Sequence, residues 1–137
     1  MDLRPAALLS LSFLLVWAHG RLTHEGSATL PIRLTVVNKL ANTSPQAFSS
    51  SVLEGGILVS ALRRLQEANQ RFKFTVIDNP NFGLFLESVN GVAGSDKDKT
   101  YWELLSESSG EYTRLSVGVG CYQPAANEHI VFNFTTW

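Results

Sequence analysis

The side chains that could do chemistry are few in this chain of 137 residues, and their spacing supports no metal site. His19, His24 and His129 form no pair with the short spacing that metal ligands on one element usually have. Residues 96–98 (Asp-Lys-Asp) begin like a calcium-binding loop, but the glycine and the closing glutamate of such a loop are absent. We therefore predict no metal ligands.

The sequence contains no more evidence for an enzyme active site than for a metal site. Residues 118–120 (Gly-Val-Gly) are half of a dinucleotide-binding fingerprint, and no helical pattern follows them. The chain has no nucleophile elbow and no cysteine–histidine signature. Glu87, Glu103 and Glu128 are not spaced as an acid–base pair on one element. The sequence predicts a protein that is not an enzyme and has no catalytic residue.

The first twenty residues have the layout of a secretory signal peptide. Arg4 supplies a positive charge, residues 6–17 are almost unbroken apolar sequence, and residues 18–20 place small side chains around a cleavage site. The apolar run is shorter than the roughly 20 residues that a membrane-spanning helix needs. We predict that residues 1–20 are a signal peptide and that the protein is secreted and extracellular, with no membrane segment.

Charge and composition exclude two further classes of partner. The formal net charge is −1, and positive and negative residues are interspersed. A nucleic-acid surface or a polybasic membrane signal would need a cluster of lysine and arginine, so we expect neither partner.

Cys121 is the only cysteine, so an internal disulfide is excluded. Two alternatives remain: a buried small side chain, which its neighbours Val119 and Tyr122 favour, or a free thiol.

Asn42 and Asn133 each stand in an acceptor pattern for N-glycosylation, and the predicted secretory route makes both predicted glycosylation sites.

The elements that must position any site come from hydrophobic periodicity. Residues 21–29 are predicted as a flexible N-terminus and residues 30–137 as one domain. Apolar side chains alternate along Leu30–Asn38, which predicts a strand, and residues 41–51 resemble a loop. Ser51 with Glu54 predicts a capping box for the one helix, which should end near Asn69. A start one turn later is the alternative, because Gly55 and Gly56 weaken the first turn by roughly 1 kcal/mol each relative to alanine.

Strands dominate the rest of the chain. Residues 72–77 and 100–105 alternate, residues 82–89 are apolar on both faces, and Asn90-Gly91 is a strong hairpin signal. In the last strand, alternation directs Asn133 to the solvent side. One helix followed by several strands predicts an α+β fold, with the helix packed on antiparallel β-sheet.

Aromatic side chains suggest where a ligand could bind. Trp102 and Leu104 share one face of their strand, while Tyr101, Glu103 and Leu105 share the other. A single helix covers only one face of a sheet, so one of these sets should stay partly exposed. Exposed apolar patches commonly bind partners, and this pattern suits a flat ligand with an apolar rim and amide arms.

Over residues 30–137 the chain resembles the small C-terminal domain of the cobalamin carriers, namely gastric intrinsic factor, transcobalamin and haptocorrin. The most specific block is Thr100-Tyr-Trp-Glu-Leu-Leu105, because that family repeatedly places Tyr-Trp there. Shorter blocks of similarity are Leu34-Thr-Val-Val-Asn38, Leu58-Val-Ser-Ala-Leu62 and Phe72-Lys-Phe74.

The resemblance implies a secreted module that binds or transports cobalamin or another corrinoid. Those carriers close a large helical domain and this small domain on cobalamin, so this chain alone should bind weakly. No resident cofactor is implied; cobalamin is the ligand, and a receptor or a partner chain could supply the missing domain. The ligand-binding residues implied are Asn81, Phe82, Leu86, Trp102, Leu104 and Leu115. The alternative is a secreted protein-interaction domain that has lost ligand binding.

Overall fold

The structure, a computed structural model, describes residues 28–81 and 83–137. These residues form β1 (Thr29–Asn38), β2 (Gln46–Leu53), α1 (Leu58–Ala68), β3 (Phe74–Asn79), β4 (Gly83–Val89), β5 (Val92–Ala93), β6 (Thr100–Ser108), β7 (Glu111–Arg114) and β8 (Glu128–Thr136). The predicted signal peptide, residues 21–27 of the predicted flexible N-terminus and Phe82 lie outside the described residues.

The larger sheet has five strands in the order β2-β1-β8-β6-β7. Its middle strand, β8, runs parallel to β1 and antiparallel to β6. Alternation places one face of these strands in the core, as the sequence predicts, because successive side chains of a strand point to opposite faces. The buried residues contributed by β1 and β8 on this face are Ile32, Leu34, Val36, Ile130, Phe132 and Phe134.

Helix α1 packs its apolar stripe against the core, with Leu58, Leu62 and Leu65 almost fully buried. It begins at Leu58, after Gly55 and Gly56, in the direction of the later start that the sequence offered as an alternative. Ile57 is the N-cap and forms no side-chain capping bond, whereas Ser51 lies in β2. The predicted capping box is therefore wrong.

The first N–H groups of α1 are satisfied from elsewhere in the chain. Leu58 N–H donates to the carbonyl of Tyr122 at 2.8 Å, and Val59 N–H donates to the carbonyl of Val119 at 2.9 Å. Because the first four N–H groups of a helix have no partner within it, these bonds replace a side-chain cap. They also attach the segment after β7 to the helix.

The predicted loop at residues 41–51 is only partly a loop. Residues 46–53 form β2, an edge strand whose inward residues include Phe48 and Val52. Ser49 and Ser51 face away from the core, and Ser50, on the inward face, donates from its hydroxyl to the Ala61 carbonyl of α1 at 2.7 Å. Each serine of the strand therefore has a compatible position despite the turn-like composition. Phe48 packs edge-on against Phe72, with ring centroids 5.3 Å apart.

The smaller sheet has three strands in the order β3-β4-β5, with β4 in the centre. Asn90 and Gly91 join β4 to β5 with φ angles of 50° and 84°. Positive φ at both positions is what a type I′ turn requires, so the predicted hairpin is confirmed. The α+β prediction is likewise confirmed, with one correction: β1 and β8 pair in parallel. Among the described residues no helix is long and apolar enough to cross a membrane.

Candidate functional site

A groove lies between the smaller sheet, the first half of β6 and the segment that follows β7. It is a cavity of about 510 Å³, within the range of small-molecule sites. Its walls are Leu84–Leu86 of β4, Tyr101–Leu104 of β6, Arg114–Gly118, and Cys121. Most of this lining is apolar, with one ion pair at the rim.

The structure brings four of the six predicted ligand-binding residues to this groove: Leu86, Trp102, Leu104 and Leu115. They come from three separate segments of the chain. Asn81 is exposed in the turn before β4 and does not line the groove. Phe82 lies outside the described residues.

Trp102 contributes mainly to packing beneath the groove and little to the surface that a ligand could contact. Its side chain is buried, its ring centroid lies 5.0 Å from that of Phe134, and its indole N–H donates to the Val92 carbonyl at 2.8 Å. Only a small part of the residue can meet a ligand. Trp102 therefore supports the floor of the groove and joins the two sheets.

Phe85 projects from the face of β4 opposite to Leu86 and is 46% exposed, although it also borders the groove. Neither Phe85 nor Tyr101 is among the ligand-binding residues that the resemblance implies. A large exposed aromatic ring beside a cavity is a common binding feature. Successive side chains of a strand point to opposite faces, so with Leu86 inward the sequence of β4 predicts that Phe85 is exposed.

Arg114 was also missed, because its position depends on the pairing of β7 with β6. Its Nη2 donates to Glu103 Oε2 at 2.7 Å and to the Tyr101 hydroxyl oxygen at 3.3 Å. Partial burial would raise the pKa of Glu103, but hydrogen bonds from Asn133 and Arg114 outweigh it and hold that pKa below its ordinary value. The rim of the groove therefore carries a carboxylate and a guanidinium that neutralise each other.

The wall after β7 approaches β4 closely. A Cβ atom on Gly118 would lie 3.0 Å from the Leu84 carbonyl oxygen, and one on Gly120 would lie 3.0 Å from the Leu84 Cβ. Glycine permits this contact because it has no side chain. The two glycines that sequence reasoning noted as half a nucleotide fingerprint instead serve to bring this wall against β4.

Glu128 anchors the same segment to β6 and β8. Its carboxylate accepts hydrogen bonds from the Tyr122 hydroxyl, the Ser106 hydroxyl and the Ala125 N–H. Burial and the neighbouring carboxylate raise the pKa of Tyr122 to about 12. Together with the bonds to α1, this network fixes the wall from both ends.

Two expectations about single residues are wrong. Cys121 is exposed and lines the groove, whereas the sequence favoured burial. Asn133 is only 2% exposed, whereas alternation directed it to solvent. Its Nδ2 donates to Glu103 Oε1 at 3.0 Å, and it lies on β8, the middle strand of the larger sheet. Asn42 lies in an exposed turn.

A second polar cluster lies toward the other end of β6. His129 Nδ1 is 2.6 Å from Glu107 Oε1, and His129 Nε2 is 2.7 Å from Thr35 Oγ1. The His129 hydrogen bond lowers the pKa of Glu107. The three side chains connect β6, β8 and β1 outside the groove. Within residues 28–81 and 83–137 no three His, Cys, Asp or Glu side chains are grouped as metal ligands.

Comparison with known proteins adds a family and a fold. Residues 55–136 match the family described as "Domain of unknown function (DUF4430)". The chain is 33% identical over 114 residues to cobalamin binding intrinsic factor from Canis lupus familiaris, covering 81% of this chain and 26% of that protein. It thus spans about a quarter of the length of the curated relatives it matches. The resemblance to the cobalamin carriers is confirmed over most of the chain.

Two solved structures share the fold. Haptocorrin in complex with Cbi superposes with a TM-score of 0.67 at 24% identity, covering 81% of this chain and 26% of that chain. A putative metal binding protein from Ruminococcus gnavus superposes with a TM-score of 0.57 at 14% identity, covering 79% of this chain and 98% of that chain. In the second case the fold accounts for almost the whole of the matched chain.

Proposed function

This chain belongs to the DUF4430 family, and from that premise we propose that its groove binds a corrinoid such as cobalamin. The observation that carries the proposal is the convergence of Leu86, Leu104 and Leu115 on one cavity from three separate segments. These positions were assigned from the resemblance alone. The names of the matched relatives, a cobalamin binding intrinsic factor and haptocorrin in complex with Cbi, support the same ligand class.

The chemistry of the groove suits such a ligand. Apolar side chains can cover the rim of a macrocycle, and burial of apolar surface contributes about 25 cal/mol per Å². Tyr101–Glu103 have no strand beside them on the groove side among the described residues, because β7 pairs with β6 only from Leu105 onward. Backbone groups at that edge are available to the amide arms of a corrin.

One wall of this kind covers only part of a large ligand. High affinity for a drug-sized molecule accompanies burial of most of its surface. We therefore expect weak binding by this chain alone, with a Kd in the micromolar range or weaker, or about −8 kcal/mol or less favourable. A receptor or partner chain that supplies a second wall is part of the proposal, as are secretion after removal of residues 1–20 and glycosylation at Asn42.

The experiment is a titration of the purified chain with hydroxocobalamin, followed by absorbance and by calorimetry at high protein concentration. A saturable change with one site per chain would support the proposal. No heat and no spectral change at millimolar ligand would contradict it. Nanomolar binding would contradict the argument that one wall is insufficient.

A second candidate function is protein binding at the same face. The exposed side chains Ile77, Phe85 and Val117 favour it, as does the free edge of β6, since an extended peptide can pair with such an edge. A failed hydroxocobalamin titration would shift the assignment to this alternative.

A further inference from the structure

A second compartment opens beside the groove and has a different chemistry. It is a cavity of about 540 Å³ that shares Phe85, Leu86, Tyr101 and Arg114 with the groove. We call this cavity the aromatic subsite. The lining residues that define it are Ile77, Phe85, Glu87, Asp96, Tyr101 and Trp137. Of the predicted ligand-binding residues that the structure describes, Leu86 alone lines it.

Three aromatic rings form its apolar surface. Tyr101 and Trp137 pack edge to face, with ring centroids 5.9 Å apart and an interplanar angle of 72°. Trp137 is 61% exposed and Phe85 46% exposed. The backbone N–H of Trp137 donates to the Lys99 carbonyl at 3.0 Å, which ties the end of the chain to the loop before β6, and the Tyr101 hydroxyl accepts a hydrogen bond from Arg114. Aromatic rings that are exposed in this way leave faces available for stacking.

Two carboxylates complete the compartment. Within the described residues the Glu87 carboxylate accepts one hydrogen bond, from the Thr75 hydroxyl to Oε1 at 3.0 Å, and its Oε2 keeps its acceptor capacity. Asp96 is exposed, and no group within the described residues donates to its carboxylate. Ionised carboxylates are acceptors only, so they select ligand groups that carry N–H or O–H donors.

We propose that the aromatic subsite binds a planar aromatic group with N–H and O–H donors, namely a nucleoside, carried as a substituent of the ligand in the groove. The rings stack on the base, and the carboxylates accept from its amino group and from the sugar hydroxyls. The inference rests on the proposed function, because a substituent reaches the aromatic subsite only when its parent molecule occupies the adjoining groove.

An organic cation is the competing occupant, since aromatic rings and carboxylates also suit an ammonium group. Arg114 argues against it. The guanidinium borders both compartments, and among the described residues its ion pair is with Glu103, which offsets its charge. Its planar group can stack on the base of a nucleoside, but it offers an ammonium group neither a hydrogen-bond acceptor nor an attractive charge.

The test compares hydroxocobalamin with adenosylcobalamin by calorimetry in the dark on the purified chain. The two share the same lower nucleotide, and only adenosylcobalamin carries a 5′-deoxyadenosyl group, the nucleoside in question, on its cobalt. Stacking on aromatic side chains contributes about 1–3 kcal/mol per base, so we expect adenosylcobalamin to bind at least about fivefold more tightly. Trp137→Ala should abolish this preference and leave hydroxocobalamin affinity unchanged, because Trp137 does not line the groove. Val117→Ala, which changes only the groove, should weaken both ligands equally.

Two further measurements keep the outcomes separate. Asp96→Asn, a change at an exposed side chain, should reduce the preference even if Trp137→Ala loses stability. Free adenosine should give a saturation-transfer signal that Trp137→Ala removes. Equal affinity of the wild-type chain for both cobalamins would overturn the inference and leave the proposed function intact. Failure of hydroxocobalamin to bind would instead overturn the proposed function. Displacement of adenosine by tetramethylammonium would show a cation site and contradict the nucleoside.

Discussion

The indole Nε1 of Trp102 donates to the backbone carbonyl of Val92 at 2.8 Å, and this bond joins the two sheets of the molecule. Trp102 belongs to β6 of the larger sheet and Val92 to β5 of the smaller one. The groove lies along the seam that the bond closes. Its geometry therefore depends on a residue whose side chain is mostly inaccessible to ligand.

Trp102→Phe should lower the free energy of unfolding. The change removes the donor and leaves the partly buried Val92 carbonyl without its partner, which costs about 1–3 kcal/mol, in addition to the loss of ring volume. Urea unfolding followed by circular dichroism would measure it. Phe85→Leu is the matched control, because Phe85 is exposed and such changes usually stay within about 0.5 kcal/mol. Equal effects of the two changes would contradict the role given to Trp102.

The Tyr122–Glu128 contact predicts a loss of stability at alkaline pH. The folded pKa of Tyr122 is raised from 10.0 to about 12 by burial and by Glu128. A group whose folded pKa is raised contributes stability that is fully present below the unfolded pKa and is lost as pH rises through the folded pKa. Thermal midpoints should therefore fall between pH 10 and pH 12.

Glu128→Gln is the variant that tests this assignment. It removes the negative charge beside the phenol, so ultraviolet titration should show the pKa of Tyr122 moving back toward 10.0. The same variant should weaken hydroxocobalamin binding, because Glu128 anchors the wall of the groove. An unchanged tyrosine titration would show that the contact does not set the pKa.

Glycosylation should occur at Asn42 and not at Asn133. Asn42 is exposed, whereas the Asn133 amide is buried and bonded to Glu103, so a glycan there could not be accommodated in the folded protein. Expression in mammalian cells should give protein in the medium that lacks about residues 1–20. Ser44→Ala should remove the glycosidase-sensitive mass shift and Thr135→Val should not. The reverse pattern would contradict the burial argument.

The thiol of Cys121 should react with a maleimide in the folded protein, because it is exposed on the wall of the groove. Cyanocobalamin bound in the groove should slow that reaction in proportion to occupancy, which mass spectrometry can follow. Cys121→Ser should change the thermal midpoint by no more than a few degrees, since surface substitutions usually alter stability by less than about 0.5 kcal/mol. Unaltered labelling at saturating ligand would place the ligand elsewhere.

How much the sequence could predict differs between fold and site. Alternation in β1 and β8 is a local signal, and it predicted the core face correctly. It did not predict that Asn133 is buried, because that depends on β8 being the middle strand. The sequence did not predict the strand at residues 46–53, because its three serines are typical of a loop, whereas an edge strand can contain them.

The site depended even more on tertiary structure. Leu86, Leu104 and Leu115 were assigned through the resemblance, and no periodicity in the chain indicates that they meet. Arg114 reaches the groove only through the register of β7 with β6, which pairs Arg114 with Leu105. A register between strands is set by the whole buried face rather than by the residues on either side of one position.

Val117→Asp gives the sharpest test of the groove itself. Val117 is 42% exposed and lines the groove, so a carboxylate there should leave folding intact and place a charge against the apolar ligand surface. We expect hydroxocobalamin affinity to fall at least about tenfold, or about 1.4 kcal/mol. Leu53→Asp is the matched control, because Leu53 is 43% exposed and lies on β2 outside the groove. Leu104→Asp is less informative, since Leu104 packs against the core and its loss would also destabilise the fold. If Val117→Asp and Leu53→Asp bind hydroxocobalamin alike, the ligand does not occupy this groove.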